Sequence, residues 1–242
     1  MASPLPRIVP LGDAAVLADF SDTLDLAVNA RIQQLAEAIR RRQVDWIVDL
    51  VPALGSLALH FDPERYDLQD PKNPPPLEAA AALIKECLGR KLPDLSELAR
   101  TVEVPVCYDA EFGPDLSEVA ERCKMSVEEA IRRHCASQHR VLMVGFAPGH
   151  PYIGGLDEKL SVPRRTTPRP KVIAGSIAIA NTQSVVYPFT ISGGWNLLGR
   201  TPLVIFDAGR EWPALMAPGD RVKFRSIDRD EFDRIVHAQA KP

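Results

Sequence analysis

The sequence predicts an α+β protein in two parts, a small α/β sandwich followed by a β-barrel with flanking helices. Two observations support this, and a third bears on function. The first 97 residues order their apolar runs as β-β-α-β-β-α, which suits a small sandwich. After Leu142 the texture changes: residues 145–202 hold eight of the chain's 14 glycines and seven of its 22 prolines, and apolar runs become short. Many short runs between Gly/Pro turns argue for a closed barrel or a sandwich, not a doubly wound sheet. The third observation is charge. Lys159 to Phe206 contains no Asp, Glu or His, while Lys159, Arg164, Arg165, Arg169, Lys171 and Arg200 give it +6 in a 242-residue chain of net charge −3.

In order along the chain, "RIVPL" and "AAVLADF" read as strands joined by a turn at Gly12-Asp13. "SDTLDLAVNARIQQLAEAIRRR" reads as an amphipathic helix with Val28, Ile32, Leu35 and Ile39 on one face. Its closing arginines favour the helix dipole. "DWIVDLV" and "SLALHF" read as strands around a turn at Pro52 to Gly55, with Leu57, Leu59 and Phe61 on a buried face. His60 has no second His, Cys or carboxylate at ligand spacing and reads as a solvated strand histidine. "DPERYDLQDPKNPPP" is a linker, followed by a helix over Leu77 to Leu88.

A second linker, "GRKLPDLSE", sets the expected division into residues 1–97 and 98–242. "TVEVPVCY" reads as a strand and "GPDLSEVAERC" as a short helix. "SVEEAIRRHCAS" opens with a capping box, Ser126 to Glu129, and so predicts a second helix. His134 reads as a helix-face histidine near that helix's C-terminus. "VIAGSIAIA" and "LVIF" are β-rich runs, and "GDRVKFRSI" alternates imperfectly through Val222, Phe224 and Ile227. A last helix, "DRDEFDRIVHAQA", is capped by Asp228 with Glu231 three residues on.

Composition narrows the function classes. With 45% hydrophobic and 25% charged residues the chain is ordinary for a globular protein. Its longest apolar runs, such as "LEAAAALIKECL", are too short and too polar for a bilayer. "MASPLPRIVP" lacks the pattern of a secretory leader. Cys87, Cys107, Cys123 and Cys135 show neither a C-x-x-C pair nor metal-ligand spacing, and read as thiols of a cytoplasmic protein. Neither a metal site, a membrane nor a nucleic acid is expected.

The stretch "GGWNLLGRT" resembles a phosphate loop. From Gly194 it spells G-x-x-x-x-G-R-T, one residue from the phosphate-binding pattern G-x-x-x-x-G-K-[ST]. That pattern works only where the loop opens a helix. Here Pro202 and the β-rich "LVIF" follow, and the lysine is missing, so a nucleotide loop is rejected. Gly193-Gly194 instead suits a turn with positive φ or a close backbone approach, with Trp195 packed beside it. The acid-free segment either faces an anion or is covered by acids from elsewhere as ordinary surface pairs.

The run "GFAPGHPYIGGLDEKLSVPRRTTPRPKVIAGSIAIANTQSVVYPFTISGGWNLLGRTP" resembles the B subunit of 5-oxoprolinase, a family also known as KipI and as allophanate hydrolase subunit 1, a carboxyltransferase domain subunit. "PLGDAAVLADF", "LVPALGSLALHFDP" and "VPVCYDAEFGPDLSEVA" extend the likeness over most of the chain. The resemblance implies that the second domain is a cyclophilin-like β-barrel. It implies two partners, a cyclophilin-like C subunit and an A subunit, in an ATP-dependent 5-oxoprolinase complex that opens 5-oxoproline to glutamate. ATP with Mg²⁺ would be bound together with those partners. Two other activities stand beside this in the family: inhibition of a sporulation histidine kinase, and action on urea-derived or other amides as an amidohydrolase or carboxyltransferase component.

The positions that match the family motif supply the candidate site. Arg164, Arg165, Arg169 and Arg200 would meet anionic groups, since guanidinium forks match carboxylate and phosphate. Adjacent Arg164 and Arg165 would point to opposite faces of an extended chain. Ser176, Gln183 and Tyr187 would hydrogen-bond a small substrate, and Phe146, Tyr152 and Trp195 would wall it. Pro148, Gly149, Gly193 and Gly194 would shape the loops. Arg200 and His150 are the candidates for catalysis. His150 is either a base peculiar to this chain or a ring filling the phenylalanine position that the resemblance expects there. The chain also departs at Ile191-Ser192, where a Ser-Pro pair is expected, and near Val185 and at Lys124, where glycine is expected.

Overall fold

A computed structural model describes residues 5–95 and 99–239. They fall into two compact units, Met1–Leu98 and Ala99–Pro242. The boundary expected between residues 97 and 98 lies outside the described residues, as do the end of the linker before it and the end of the last helix's quoted run.

The first unit is a four-stranded antiparallel sheet under two helices. Strands β1 (Arg7–Pro10), β2 (Ala15–Asp19), β3 (Ile47–Pro52) and β4 (Ser56–Phe61) lie in the order β1-β2-β4-β3. Helix α1 (Leu26–Arg40) starts five residues later than the quoted run, because Asp25 caps it by accepting from the Ala27 and Val28 amides at 2.7 and 3.2 Å. Its Ile32, Leu35 and Ile39 pack on Leu57, Leu59 and Phe61 of β4 and on Leu83 and Ile84 of α2 (Pro76–Leu88). Pro76 at the first helical position suits that start.

The second unit is built on a closed seven-stranded barrel. Its strands are β5 (Thr101–Cys107), β6 (His139–Val144), β7 (Pro151–Gly154), β9 (Ser176–Ala180), β10 (Gln183–Val186), β12 (Asn196–Arg200) and β13 (Arg221–Ile227). The order around the barrel is β10-β7-β6-β13-β5-β12-β9. All neighbours pair antiparallel except β5 and β13, which run parallel from Thr101↔Arg221 to Cys107↔Ile227. A separate ribbon joins β8 (Arg169–Val172) to β11 (Ile191–Gly193). Helices α3 (Leu116–Arg122), α4 (Val127–Ala136) and α5 (Arg229–Gln239) flank the barrel. Ser126 and Asp228 cap α4 and α5 as their spacing predicts, each accepting from the amide three residues on.

Alternate residues divide between two faces. Val104, Val106, Val141, Ile153, Ile177, Ile179, Val186, Leu198 and Phe224 fill the interior. Ala178, Ala180, Val185 and Leu197 turn outward and gather with Tyr152, Tyr187 and Trp195 in a second cluster.

Two local expectations need correction. "LVIF" forms no strand and holds only an isolated bridge, Phe206↔Ala214. "VIAGSIAIA" is broken at Gly175, whose φ of +83° turns the chain from the ribbon into the barrel. A side chain there would strike the Thr201 carbonyl. Lys124 adopts φ +55°, a left-handed position that explains why the resemblance expects glycine.

His134 lies in the last turn of α4 as expected, and the structure adds that it is wholly buried. Its ring stacks on Phe224 at 4.5 Å, and the Tyr108 hydroxyl lies 2.7 Å from its Nδ1. The Ser184 hydroxyl lies 3.4 Å from its Nε2, and His139 Nε2 donates to the His134 carbonyl at 2.8 Å. Both nitrogens of His134 are satisfied with Tyr108 donating to Nδ1 and Nε2–H donating to Ser184. The signal was in the spacing: His134 follows buried Ala130 by four residues, on the same helix face.

Burial pushes His139 down to about 4 and His134 well below its ordinary value, so both are neutral when folded. Their unfolded counterparts protonate near 6.5. Stability is therefore complete above about pH 6.5 and falls as the pH is lowered towards 4, because the unfolded chain takes up protons first. His139 alone accounts for a loss of about 2 kcal/mol by pH 5. Urea midpoints measured from pH 7.5 to 5.0 will fall accordingly, and a flat profile is the contrary result.

Candidate functional site

The outward cluster forms the floor of a cleft of about 240 Å³. Phe146, His150 and Tyr152 line it from one side, Arg164, Arg165 and Pro168 from a second, and Tyr187, Ser192, Gly193, Gly194 and Trp195 from a third.

The loop between β6 and β7 aims His150 inward. It closes on itself through Gly145 N–H to the His150 carbonyl at 3.1 Å and His150 N–H to the Ala147 carbonyl at 3.0 Å. Gly149 has φ +71°, and a β-carbon on it would press on the Phe206 ring at 2.9 Å. Phe146 also takes a left-handed φ, +72°, and is 69% exposed at the cleft mouth. His150 is 3% exposed. Its ring centre lies 5.1 Å from Tyr152, 5.3 Å from Tyr187 and 5.5 Å from Phe146. Burial in this cage holds it down at about 4, so it is a neutral imidazole at pH 7. Burial likewise pushes Tyr187 up to about 12 and Tyr152 upward, which keeps both phenols protonated.

Gly193 and Gly194 are not left-handed. Gly193 is instead a close approach, since a β-carbon there would overlap the Tyr187 hydroxyl. Trp195 walls the cleft as expected, with Tyr152 edge-on at 6.0 Å and the Arg164 guanidinium over its ring at 5.5 Å.

Asp115 decides the fate of the acid-free segment. Its carboxylate is 4% exposed and accepts from Arg165 at 2.9 Å, Arg169 at 2.6 Å and the Leu197 amide at 2.7 Å. Arg165 also reaches Glu118 at 3.4 Å. For Arg165 and Arg169 the ordinary-pair reading is therefore right. Arg165 still borders the cleft beside Arg164, so the expected split to opposite faces does not keep it away. Arg169 does not line the cleft. Among the described residues no ion pair engages Arg164, which leaves it available to an anion.

Arg200 is a clear correction. It lies outside the cleft lining and is neither an anion contact nor a catalytic group there. Its Nε donates to the Ala174 carbonyl at 2.9 Å, and its guanidinium lies over Phe112 and Phe232. Burial and the nearby Arg229 charge hold its pKa below the usual value. Ser176 and Gln183 are buried in β9 and β10 without lining the cleft, and Pro148 stands exposed on its loop. Gly149 shapes the loop from beneath. Asn196 escaped the sequence reading. Its amide donates to the Pro163 and Ile179 carbonyls at 2.9 and 3.2 Å, and so fastens the arginine segment to the barrel.

The lining does not fit Mg²⁺–ATP. It contains no carboxylate to ligate Mg²⁺, and no group of three metal-ligating side chains occurs among the described residues. Gly194 to Arg200 runs into and along β12, so no helix N-terminus faces a phosphate. What the cleft offers is aromatic walls, one unpaired guanidinium and hydrogen-bonding rings, a set suited to a small carboxylate-bearing molecule.

A barrel with this outward aromatic cleft, joined to a small α/β sandwich, is the architecture of a carboxyltransferase-type subunit. Residues 6–216 match the family described as carboxyltransferase domain, subdomain C and D. The 5-oxoprolinase B subunit of Bacillus subtilis is 37% identical over 93% of this chain and 95% of its own length. That of Escherichia coli O157:H7 is 35% identical over 90% and 94%. The solved structure of TTHA0988 superposes with a TM-score of 0.74 at 36% identity, covering 88% of this chain, which spans 40% of that longer one. The Kluyveromyces lactis urea amidolyase shares the fold, with a TM-score of 0.71 at 20% identity over 97% of this chain and 16% of that one. The chain belongs to the carboxyltransferase-domain family that includes the 5-oxoprolinase B subunit.

Replacing Asp115 by Ala strands Arg169 and the Leu197 amide and leaves Arg165 only its longer contact with Glu118. Loss of one partner of a buried pair costs about 3–5 kcal/mol. Chemical denaturation of D115A is expected to show a loss of that size. A change under about 1 kcal/mol, the worth of an exposed pair, would mean that Asp115 does not anchor the segment.

Proposed function

We propose that this chain is the B subunit of an ATP-dependent 5-oxoprolinase, opening 5-oxoproline to glutamate together with a cyclophilin-like C subunit and an A subunit. The observation behind this reading is the pairing of full-length likeness to 5-oxoprolinase B subunits with a cleft holding an unpaired arginine among aromatic walls. In this reading Arg164 pairs with the substrate carboxylate, and Tyr152 and Trp195 enclose the ring and exclude water. Lactam opening also needs an activated carbonyl and acid/base groups. The cleft lining contains no carboxylate, so the partners complete the chemistry and hold the nucleotide.

The purified chain should therefore show no 5-oxoproline turnover. Co-expression with the A and C subunits should give ATP-dependent glutamate release. In that assembly Arg164→Ala should lower kcat/KM by about 10–100-fold, the worth of a charge-assisted contact. Turnover by the isolated chain would refute the division of labour, and no turnover by the assembly would refute the function.

A further inference from the structure

His150 is a titratable cleft residue to which this function assigns no task. It is nearly buried yet lines the cavity, held on a loop that closes through its own backbone. Its Nδ1 is buried with no hydrogen-bond partner among the described residues. A buried ring nitrogen without a partner is unfavourable, which a purely space-filling side chain would avoid. The three surrounding rings could stack equally well on an apolar ring, so packing alone gives no reason for an imidazole. The ring lines the cleft in company with Arg164, so a molecule bound there meets both side chains.

We propose that His150 is a specificity-determining residue whose imidazole hydrogen-bonds an uncharged amide on the bound molecule while Arg164 holds its carboxylate. This rests on the 5-oxoprolinase reading and refines it. The ligand class is a small cyclic or compact amide carrying a carboxylate a few atoms away. His150 acts here as a hydrogen-bonding group. Its depressed basicity favours the uncharged ring that such a contact needs at neutral pH.

The test compares two ligands on the full chain, and on the co-expressed assembly, by calorimetry: 5-oxoproline and cyclopentanecarboxylate, which keeps the ring and carboxylate but lacks the amide. The wild type should bind 5-oxoproline about tenfold more tightly, the value of one hydrogen bond. His150→Phe should bring that ratio close to one without lowering Tm, and His150→Gln should restore part of it. Arg164→Ala should weaken both ligands alike. The ¹⁵N resonances of the His150 ring should shift with 5-oxoproline and not with the carbocycle. If His150→Phe keeps the tenfold ratio, or the ring resonances respond alike to both ligands, this proposal fails and the functional reading survives. If neither preparation binds 5-oxoproline, the functional reading fails and takes this proposal with it.

Discussion

The carboxylate of Asp115 is the constraint around which the cleft is arranged. It sits at the start of α3, nearly sealed from solvent, and binds three groups from two other segments. One is the Leu197 amide on β12, which fixes the helix to the barrel. The others are Arg165, which follows Arg164, and Arg169, which follows Pro168. A carboxylate so placed would be unfavourable alone, and the two arginines would be unfavourable without it. The three together hold an irregular, proline-rich segment in one conformation. Arg164, left outside this arrangement, lies over Trp195 and faces the cavity. The consumption of two cations thus presents the third.

The family's sequence pattern contains both kinds of residue without distinguishing them. Arg164 and Arg165 are neighbours of one type, and only the distant Asp115 gives them different tasks. The same holds for Arg200, which belongs to the aromatic contact between β12 and α5. Charge counting finds the basic segment correctly, but it cannot see an acid that is 50 residues away from Arg165 in sequence.

Much of the architecture was legible. The sandwich is readable because its helices and strands are long enough to show their periods, as in Ile32, Leu35 and Ile39 or Leu57 and Leu59. The barrel's existence is readable from glycine and proline density, whereas its strands are not. β7 and β10 have four residues each, and β10 is buried throughout, so neither shows an alternation. "LVIF" has strand composition but meets only one bridging partner, since pairing is a tertiary matter. At the site, the aromatic walls and Gly193 were visible because size and the absence of a β-carbon are local properties. Burial of Ser176, Gln183 and His134 was not, because it depends on which face the barrel encloses.

The parallel ladder between β5 and β13 has a consequence for biosynthesis. Its two strands lie about 120 residues apart. At ribosomal rates of roughly 5–20 residues per second, β5 is complete about 6–24 s before its neighbour exists. For most of that interval the nascent chain presents the backbone of Thr101 to Cys107 with both edges unanswered, since β12 is also still to come. The sandwich, whose partners are all local, can settle meanwhile. The barrel can close only once β13 has been made, which makes that strand the latch of the whole unit.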